Sequence, residues 1–262
     1  MKGVMKSAFI PVIATMILAC GEPTIGREEV EASQDNPVTT TPLNLTNSTA
    51  LVVLQFENTL EDDSGNSNDA TIGGTSPSSY SFITGYRNTS LYLENPDNTL
   101  GYVYLTLPDN LVGNTFTISY WAKVITWNTS WGAIAHMIFK DSGGTWEGFV
   151  SHGSNSDTSF YARNRSDLAN DWGDIFTTLP SAGEWFHVTE TMDSSGVATL
   201  YINGEEQGTY DTAYEDFTAA TVSIMFGQDT WQAQGVILDD VVIYDRALSA
   251  SEVSDLCAGI LP

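Results

Sequence analysis

One stretch of sequence decides how this chain folds: Gly235-Val-Ile-Leu-Asp-Asp-Val-Val-Ile-Tyr-Asp-Arg-Ala-Leu-Ser-Ala-Ser-Glu252. Its first ten residues predict a strand that is covered on both faces, because apolar residues occupy both alternating sets of positions. One predicted face carries Val236, Leu238, Val242 and Tyr244, and the other carries Ile237, Val241 and Ile243. The segment Ser249-Ala-Ser-Glu252 matches a capping box, which predicts a short C-terminal helix ending near Cys257.

Two adjacent carboxylates, Asp239 and Asp240, lie in the middle of this predicted strand. Burying a carboxylate is costly unless the charge is paired or densely hydrogen-bonded. The sequence therefore predicts that these two side chains meet a cation or a set of hydrogen-bond donors.

Short apolar or alternating runs separated by turn signals continue through residues 49–262, which is the pattern of an all-β sandwich or barrel. The turn Asp193-Ser-Ser-Gly196 lies between two such runs and predicts a hairpin. This length suits one large domain with a sizeable core. The predicted strands are 51–56, 90–93, 102–107, 115–124, 134–139, 149–151, 160–163, 185–191, 198–202, 222–226 and 236–244.

The N-terminus predicts export and anchoring. Residues 1–19 combine Lys2 and Lys6 with an apolar core that is too short to span a bilayer, as in a signal peptide. The string Ile17-Leu-Ala-Cys20 resembles a bacterial lipobox, which implies that Cys20 is the acylated first residue of a lipoprotein; a plain secretory signal is the alternative. Residues 20–48 are rich in Thr, Pro, Glu and Asn and predict a disordered tether. We expect lipid anchoring to a bacterial membrane, in the outer membrane at the cell surface.

The charge balance excludes several classes of partner. The chain has 33 acidic residues against 9 lysines and arginines, a formal net charge of -24. Such a chain repels nucleic acid and anionic lipid, so membrane contact is expected through the N-terminal lipid only. The same reasoning favours neutral glycans over strongly anionic ones, unless calcium bridges the charges. We expect a monomer.

Six strings in order resemble the laminin-G-like or concanavalin-A-like jelly-roll domains of bacterial surface proteins. The resemblance implies an all-β, two-sheet antiparallel jelly-roll sandwich with a short C-terminal helix over residues 49–262. The strings are Leu51 to Phe56 followed by Asp62 to Asn66, Phe116 to Trp121, Gly183 to Val188, Leu200 to Gly204, Ile224 to Gly227, and Gly235 to Leu248.

The resemblance also implies a structural calcium ion where the opening loop meets the closing strand. Calcium takes six to eight oxygen ligands, and the implied ligands are Asp62, Asn66, Asp239 and Asp240 with nearby carbonyls. In the alternative interpretation, Asp62 only shapes a turn while Asp239 and Asp240 bond to backbone amides.

Tryptophans outside the predicted packing positions favour carbohydrate binding, because flat aromatic faces stack on sugar rings. Trp121 and Trp185 lie in predicted strands and are expected to pack. The candidate ligand contacts are Trp127, Trp131, Trp146, Trp172 and Trp231. We therefore predict a surface-anchored carbohydrate-binding module that binds a polysaccharide or glycan, with a protein-binding adhesin as one alternative.

A polysaccharide lyase or glycoside hydrolase on the same sandwich is the other alternative. The Glu-x-Asp-x-x-Glu signature of similar glucanases is absent. A lyase site needs a residue that moves protons and an arginine that neutralises a uronate. The residues of that kind are His136, His152, Tyr161, Arg163 and Arg165, while His187 is expected to pack within a strand.

Overall fold

The computed structural model describes residues 43, 45, 48–74, 79–94, 103–127, 132–140, 146–156, 158–166, 171–211, 221–227 and 234–262. These residues form two antiparallel sheets and one short helix, which confirms the predicted sandwich. The predicted signal peptide, Cys20 and most of the predicted tether lie outside the described residues. Within the described ranges, no helix has the length and apolar character needed to cross a membrane.

The first sheet, the eight-stranded sheet, contains the closing strand at its centre. In spatial order its strands are β13 (Glu205–Asp211), β12 (Val197–Ile202), β11 (Trp185–Met192), β6 (Phe116–Thr126), β15 (Gln234–Tyr244), β4 (Thr89–Glu94) and β3 (Ser79–Thr84). The short strand β1 (Val52–Leu54) pairs with β15 along residues 241–243, beyond the part that β4 covers. The first and last strands of the domain are therefore neighbours, as the resemblance implies.

The second sheet, the seven-stranded sheet, packs against the first. In spatial order its strands are β10 (Asp171–Thr178), β9 (Ser159–Ser166), β8 (Trp146–Ser154), β7 (Gly132–Lys140), β14 (Thr221–Phe226), β5 (Val103–Thr106) and β2 (Thr71–Gly74).

The main core lies between the sheets and is rich in aromatic residues. Phe116 and Phe186 from the eight-stranded sheet belong to the same buried cluster as Phe160 and Phe226 from the seven-stranded sheet. Tyr120 packs edge-to-face on Phe226, with ring centroids 5.2 Å apart. Each such side chain stabilises the fold by about 1.5–3 kcal/mol when fully buried.

A second, smaller core covers the opposite side of β15. It gathers Tyr244 and Leu248 with Val253 and Leu256 of the helix α1 (Ala250–Cys257). The predicted capping box is present, because the Ser249 hydroxyl accepts the Glu252 N–H and the Glu252 carboxylate accepts the Ser249 N–H. The closing strand is therefore covered on both faces.

The predicted assignment of residues to the faces of β15 is wrong beyond Asp239. Register shifts between Asp239, opposite Trp121, and Val242, opposite Ser119, so one extra residue is inserted. Val236, Leu238, Val241 and Ile243 consequently all face the main core, whereas Val242 and Tyr244 face α1. The β-bulge exchanges the two faces, because side chains alternate with a period of two residues.

Candidate functional site

The twin carboxylates lie at the bulge of β15. Asp240 has φ of +46°, a left-handed conformation that non-glycine residues seldom adopt. Its exposed fraction is 4%, and that of Asp239 is 0%. Burial raises the pKa of both carboxyls, and the charge of Asp240 raises that of Asp239 further. The bulge therefore holds two acids where water cannot solvate them.

The sequence predicts either a cation or a set of hydrogen-bond donors beside these carboxylates, and the structure shows both. The cation is Arg87, from the turn between β3 and β4. Its Nε lies 2.7 Å from Oδ2 of Asp240. Its backbone N–H donates to Oδ2 of Asp239 at 2.8 Å, and the Ser90 hydroxyl donates to the same oxygen at 2.7 Å. The guanidinium packs so closely on the C-terminal segment that a Cβ at Gly259 would clash with Nη2. One arginine and a set of protein donors thus compensate this pair.

The opening loop is held by Asp62, which acts as an acceptor for four donors. Its Oδ1 accepts the N–H groups of Val53 and Ser64, and its Oδ2 accepts the Asn68 N–H and the Ser64 hydroxyl, all within 3.0 Å. Burial opposes ionisation, but these hydrogen bonds outweigh it and lower the pKa of Asp62. The Asn66 amide donates to the Ala50 and Leu51 carbonyls. Both side chains fasten the loop along β1.

These residues do not fit the implied calcium site. The Val53 N–H donates to Asp62, and the Val53 carbonyl accepts the Asp63 N–H. Val53 also lies opposite Val242 of β15. The strand β1 therefore lies between Asp62 and the closing strand. Four donors occupy the acceptor sites of the Asp62 carboxylate. No group of three or more His, Cys, Asp or Glu residues within the described ranges is arranged to hold a metal ion. Calcium binding by the domain stays a prediction without an assigned set of ligands.

Register in the seven-stranded sheet brings together residues that are scattered in the sequence. Val150 lies opposite both His136 on β7 and Arg163 on β9, and His152 lies opposite Tyr161. Directly opposed residues, and residues two apart on one strand, share a face of the sheet. His136, His152, Tyr161 and Arg163 therefore occupy one face.

That face is the outer one. The intervening residues Ser151, Phe160, Ala162 and Ile175 are buried, and the last three belong to the main core. The opposite set of positions therefore lies on the outer face of the sheet. Phe176, which lies opposite Tyr161, has an exposed fraction of 67%.

We call the outward positions of the four neighbouring strands β7, β8, β9 and β10 the β7–β10 face. The register places Trp172 opposite Arg165, and Trp146 opposite Lys140, on this face. Two of the five tryptophans predicted as ligand contacts therefore share the face with all of the predicted lyase residues. The face comprises Ala133, His136, Ile138, Lys140, Trp146, Gly148, Val150, His152, Ser154, Ser159, Tyr161, Arg163, Arg165, Trp172, Asp174, Phe176 and Thr178.

Aromatic rings form a row across the β7–β10 face. The His152 and Tyr161 rings stack, with centroids 4.9 Å apart and an interplanar angle of 10°. The Tyr161 and Phe176 centroids are 6.3 Å apart. The imidazole is 1% exposed, whereas Tyr161 is partly exposed and Phe176 is open to solvent. The row therefore offers its accessible surface at Tyr161 and Phe176.

A surface depression of about 350 Å³ lies at the rim of the sandwich. Thr126, Asn155 and Ser181 supply polar groups to its lining, and Ile125, 45% exposed, supplies an apolar one. Trp127 also belongs to the lining, although its side chain is buried. This volume falls within the range of small-molecule pockets.

The five tryptophans predicted as ligand contacts are distributed over different environments. Trp127 is 5% exposed, donates its indole N–H to the Pro180 carbonyl at 2.8 Å and packs on Phe160 and Phe186, so it belongs to the core rather than to an open loop. Trp146 and Trp172 lie on the β7–β10 face. Trp131 and Trp231 lie outside the described residues. Among the described candidates, burial assigns Trp127 to the core, and register assigns Trp146 and Trp172 to the β7–β10 face.

Two tryptophans expected to pack do so on the outside of the eight-stranded sheet. Trp121 is 5% exposed and stacks on Tyr86, with ring centroids 3.6 Å apart. Trp185 is partly buried and meets the same Tyr86 edge-on. His187 beside them is buried and hydrogen-bonds Ser119 through Nε2 at 2.9 Å, which confirms its packing role. Burial lowers the pKa of His187 to about 3.

Glu190 is a buried acid that was not predicted from the sequence. It points from β11 between the sheets and accepts the Ser151 hydroxyl from β8. Burial raises the pKa of Glu190 to about 7. The sequence feature that could have predicted its burial is the alternation of Phe186, Val188, Glu190 and Met192 along β11. This alternation places the carboxyl on the core side. The cavity beside it holds about 10 Å³, room for one water at most and for no glycan.

Comparisons with known proteins agree with the fold. The family model Laminin_G_3, described as the concanavalin A-like lectin/glucanases superfamily, matches residues 97–254. Domain 4 of AbnA, a GH43 extracellular arabinanase from Geobacillus stearothermophilus solved with arabinotriose, is similar at 25% identity and a TM-score of 0.65. That match covers 80% of this chain and 98% of the other. No curated protein sequence gave a match.

Toxin domains share the fold at lower identity. The binding domain of Paraclostridial Mosquitocidal Protein 1 is 20% identical with a TM-score of 0.58, and the match covers 82% of this chain and 52% of that one. The receptor binding domain of botulinum neurotoxin D is 18% identical with a TM-score of 0.61, covering 82% and 54%. This chain therefore spans about half the length of those domains.

Proposed function

Because the chain belongs to the concanavalin A-like lectin/glucanase superfamily, we propose that it is a carbohydrate-binding module that holds glycan on the β7–β10 face. The observation that carries this proposal is the aromatic pair of partly exposed Tyr161 and solvent-exposed Phe176. The register places Trp172 on the same strand and face, two rows away from Phe176. Exposed aromatic faces bury the apolar faces of sugar rings without needing charge. A structural neighbour in complex with arabinotriose supports this choice of ligand class.

Affinity electrophoresis of the full chain in gels containing neutral and acidic polysaccharides tests the proposal. We expect retardation in at least one gel, and we expect Phe176→Ala and Trp172→Ala to reduce it. Tyr80→Ala is the matched control, because Tyr80 is 43% exposed but lies on β3 of the opposite sheet. Ile125→Ala probes the rim depression in the same way. If Phe176→Ala and Trp172→Ala are retarded as strongly as the parent, the β7–β10 face is not the site.

Catalysis is the second candidate function, and one observation favours it. The register places His136, His152, Tyr161 and Arg163 on one face, and the imidazole stacks on the phenol ring. A lyase needs groups that move protons beside an arginine that neutralises a uronate. Staining the same gels for polysaccharide distinguishes the two functions. A cleared track that disappears in Tyr161→Phe would identify an enzyme, and an intact track would favour a binding module.

Anchoring and metal binding complete the proposal. Lipidation of Cys20 would place the module at a bacterial surface, and detergent partitioning of Cys20→Ala tests this, since unchanged partitioning would remove the anchor. Calcium would raise the melting midpoint relative to chelator if the ion is bound. Identical midpoints would exclude a structural calcium ion. Protein binding by the same face would appear as retention of the chain on a partner protein with no retardation in any polysaccharide gel.

A further inference from the structure

The β7–β10 face differs in charge from the rest of the chain. The sequence has 9 lysines and arginines against 33 acidic residues, yet the outward positions defined by the register in these strands carry three basic residues and one acidic residue. The basic residues are Lys140, Arg163 and Arg165, and the acidic one is Asp174. Two histidines, His136 and His152, share the face. A third of all basic residues thus occupies one face of four strands.

Two arginines occupy neighbouring outward positions of β9. Arg163 and Arg165 are two residues apart on β9, which separates their Cα atoms by about 6.8 Å along the strand. Asp174 lies opposite Arg163, whereas the residue opposite Arg165 is Trp172, which carries no charge. Guanidinium groups bind carboxylates through two parallel hydrogen bonds, more specifically than an ammonium group does. Along β10, the register thus places an acidic residue opposite Arg163 and an uncharged residue opposite Arg165.

A glycine belongs to the same row of the sheet. The row that crosses Arg165 and Trp172 continues to Gly148 on β8. A glycine inside a strand commonly marks close approach of a ligand or another backbone. An arginine, an indole and a strand position without a side chain are thus consecutive across three strands, which is a combination suited to one acidic sugar unit.

We propose that the β7–β10 face binds a polyuronate, that is, a polysaccharide bearing carboxylates, with Arg165 and Arg163 as the anion-binding residues. This inference rests on the proposed glycan-binding function and departs from the preference for neutral glycans that the net charge suggests. The field of a net charge of -24 acts at long range and is screened beyond about 8–10 Å in physiological salt. Contacts at the face are shorter than this distance, so the local cations decide which glycan is held.

The test compares two forms of one polymer with the full chain. Polygalacturonate carries free carboxylates, and highly methyl-esterified pectin has the same backbone with that charge removed. We expect retardation by polygalacturonate to exceed retardation by the esterified form at least tenfold in apparent affinity. We expect Arg165→Gln to lower the affinity for polygalacturonate about tenfold and Arg163→Gln to lower it less. Lys123→Gln, which removes the same charge from β6 of the opposite sheet, is the control and should have no effect.

The outcomes separate this inference from the function on which it rests. Equal binding of both polymers, or binding of neutral arabinan alone, would overturn the polyuronate inference and leave a glycan-binding module. Binding of no polysaccharide would overturn both. Circular dichroism melting of each variant shows whether a loss of affinity reflects unfolding; if Arg165→Gln does not fold, Arg163→Gln carries the test, and a polygalacturonate affinity equal to that of the parent would contradict the inference.

Discussion

At the scale of single residues, the ionic cluster at the bulge shows how the fold tolerates two buried acids. Arg87 supplies the cation, and the Ser90 hydroxyl and two backbone N–H groups supply the hydrogen bonds. The sequence predicted that a compensating group must exist, because the carboxylates lie inside an apolar strand. It did not identify Arg87, which lies 152 residues from Asp239 along the chain.

Replacing Arg87 tests this account. We expect Arg87→Met to destabilise the domain by about 3–5 kcal/mol, because removing one partner leaves buried charge without compensation. Adding Asp240→Asn should recover part of the loss. Arg246→Met is the matched control, since Arg246 pairs with Glu252 at 2.8 Å but both side chains are 30–40% exposed; a surface pair contributes about 0–1 kcal/mol. Urea denaturation at neutral pH measures all three. Similar losses for the two arginines would contradict the role of the buried cluster.

Glu190 predicts how stability depends on pH. Its pKa is about 7 in the folded protein, raised by burial from 4.5, so the folded state holds this proton more tightly than the unfolded state. Stability must then fall as pH rises from about 4.5 to about 7, and the loss is complete above that range. At about 1.4 kcal/mol per pKa unit, the loss is about 3 kcal/mol.

Glu190→Gln should remove this contribution. We expect the variant to gain stability relative to the parent between pH 5 and pH 8, measured by urea denaturation at each pH. Asp239 and Asp240 contribute a slope of the same sign in both proteins, so the difference between the proteins isolates Glu190. Glu205→Gln, at an exposed position of β13, is the control. Parallel pH profiles for parent and Glu190→Gln would contradict the buried-acid assignment.

At the scale of elements, the strands that the sequence missed are the four at the edges of the sheets. These are β3 and β13 in the eight-stranded sheet and β2 and β10 in the seven-stranded sheet. Edge strands bury less surface and carry more polar residues, so a search for apolar runs does not detect them. An example is β13, whose sequence is Glu205-Glu-Gln-Gly-Thr-Tyr-Asp211. The central strands were all predicted, because their core-facing positions are apolar, either in continuous runs as in β15 or in alternation with other residues as in β9.

The terminal helix was predicted from four residues, and its cap gives a quantitative test. The Ser249 hydroxyl and the Glu252 carboxylate satisfy N–H groups at the start of α1, and α1 covers Tyr244 of β15. We expect Ser249→Ala to lower the free energy of unfolding by about 1 kcal/mol, the usual effect of losing an N-cap. Ser254→Ala, an exposed change inside the same helix, should cause no loss. Chemical denaturation measures both, and equal effects would contradict the capping role.

At the scale of the whole molecule, the sequence predicted the sandwich but not which residues meet on its surface. His136 and Phe176 are forty residues apart, and only the pairing of β7, β8, β9 and β10 places them on one face. A one-residue shift in the register of any one of these strands would place the outward residues of that strand on the core side. Local patterns cannot fix such register, and for the same reason the bulge at Asp240 reversed the predicted faces of β15. The chemistry of the site is therefore a property of the topology.

Added salt should raise the melting midpoint, because of the net charge of the chain, and lower the affinity for polygalacturonate, because of the local charge of the β7–β10 face. A formal charge of -24 destabilises the folded state through self-repulsion, which added salt screens. We therefore expect the melting midpoint to rise as sodium chloride increases from about 10 mM to about 150 mM, where the Debye length falls from about 30 Å to about 8 Å. Contacts between Arg165 and a carboxylate are screened by the same ions, so affinity for polygalacturonate should fall over that range. Melting curves and affinity electrophoresis on one preparation measure both. Polygalacturonate affinity that is constant or rises with salt would show that charge at the β7–β10 face does not drive binding, whatever the midpoint does.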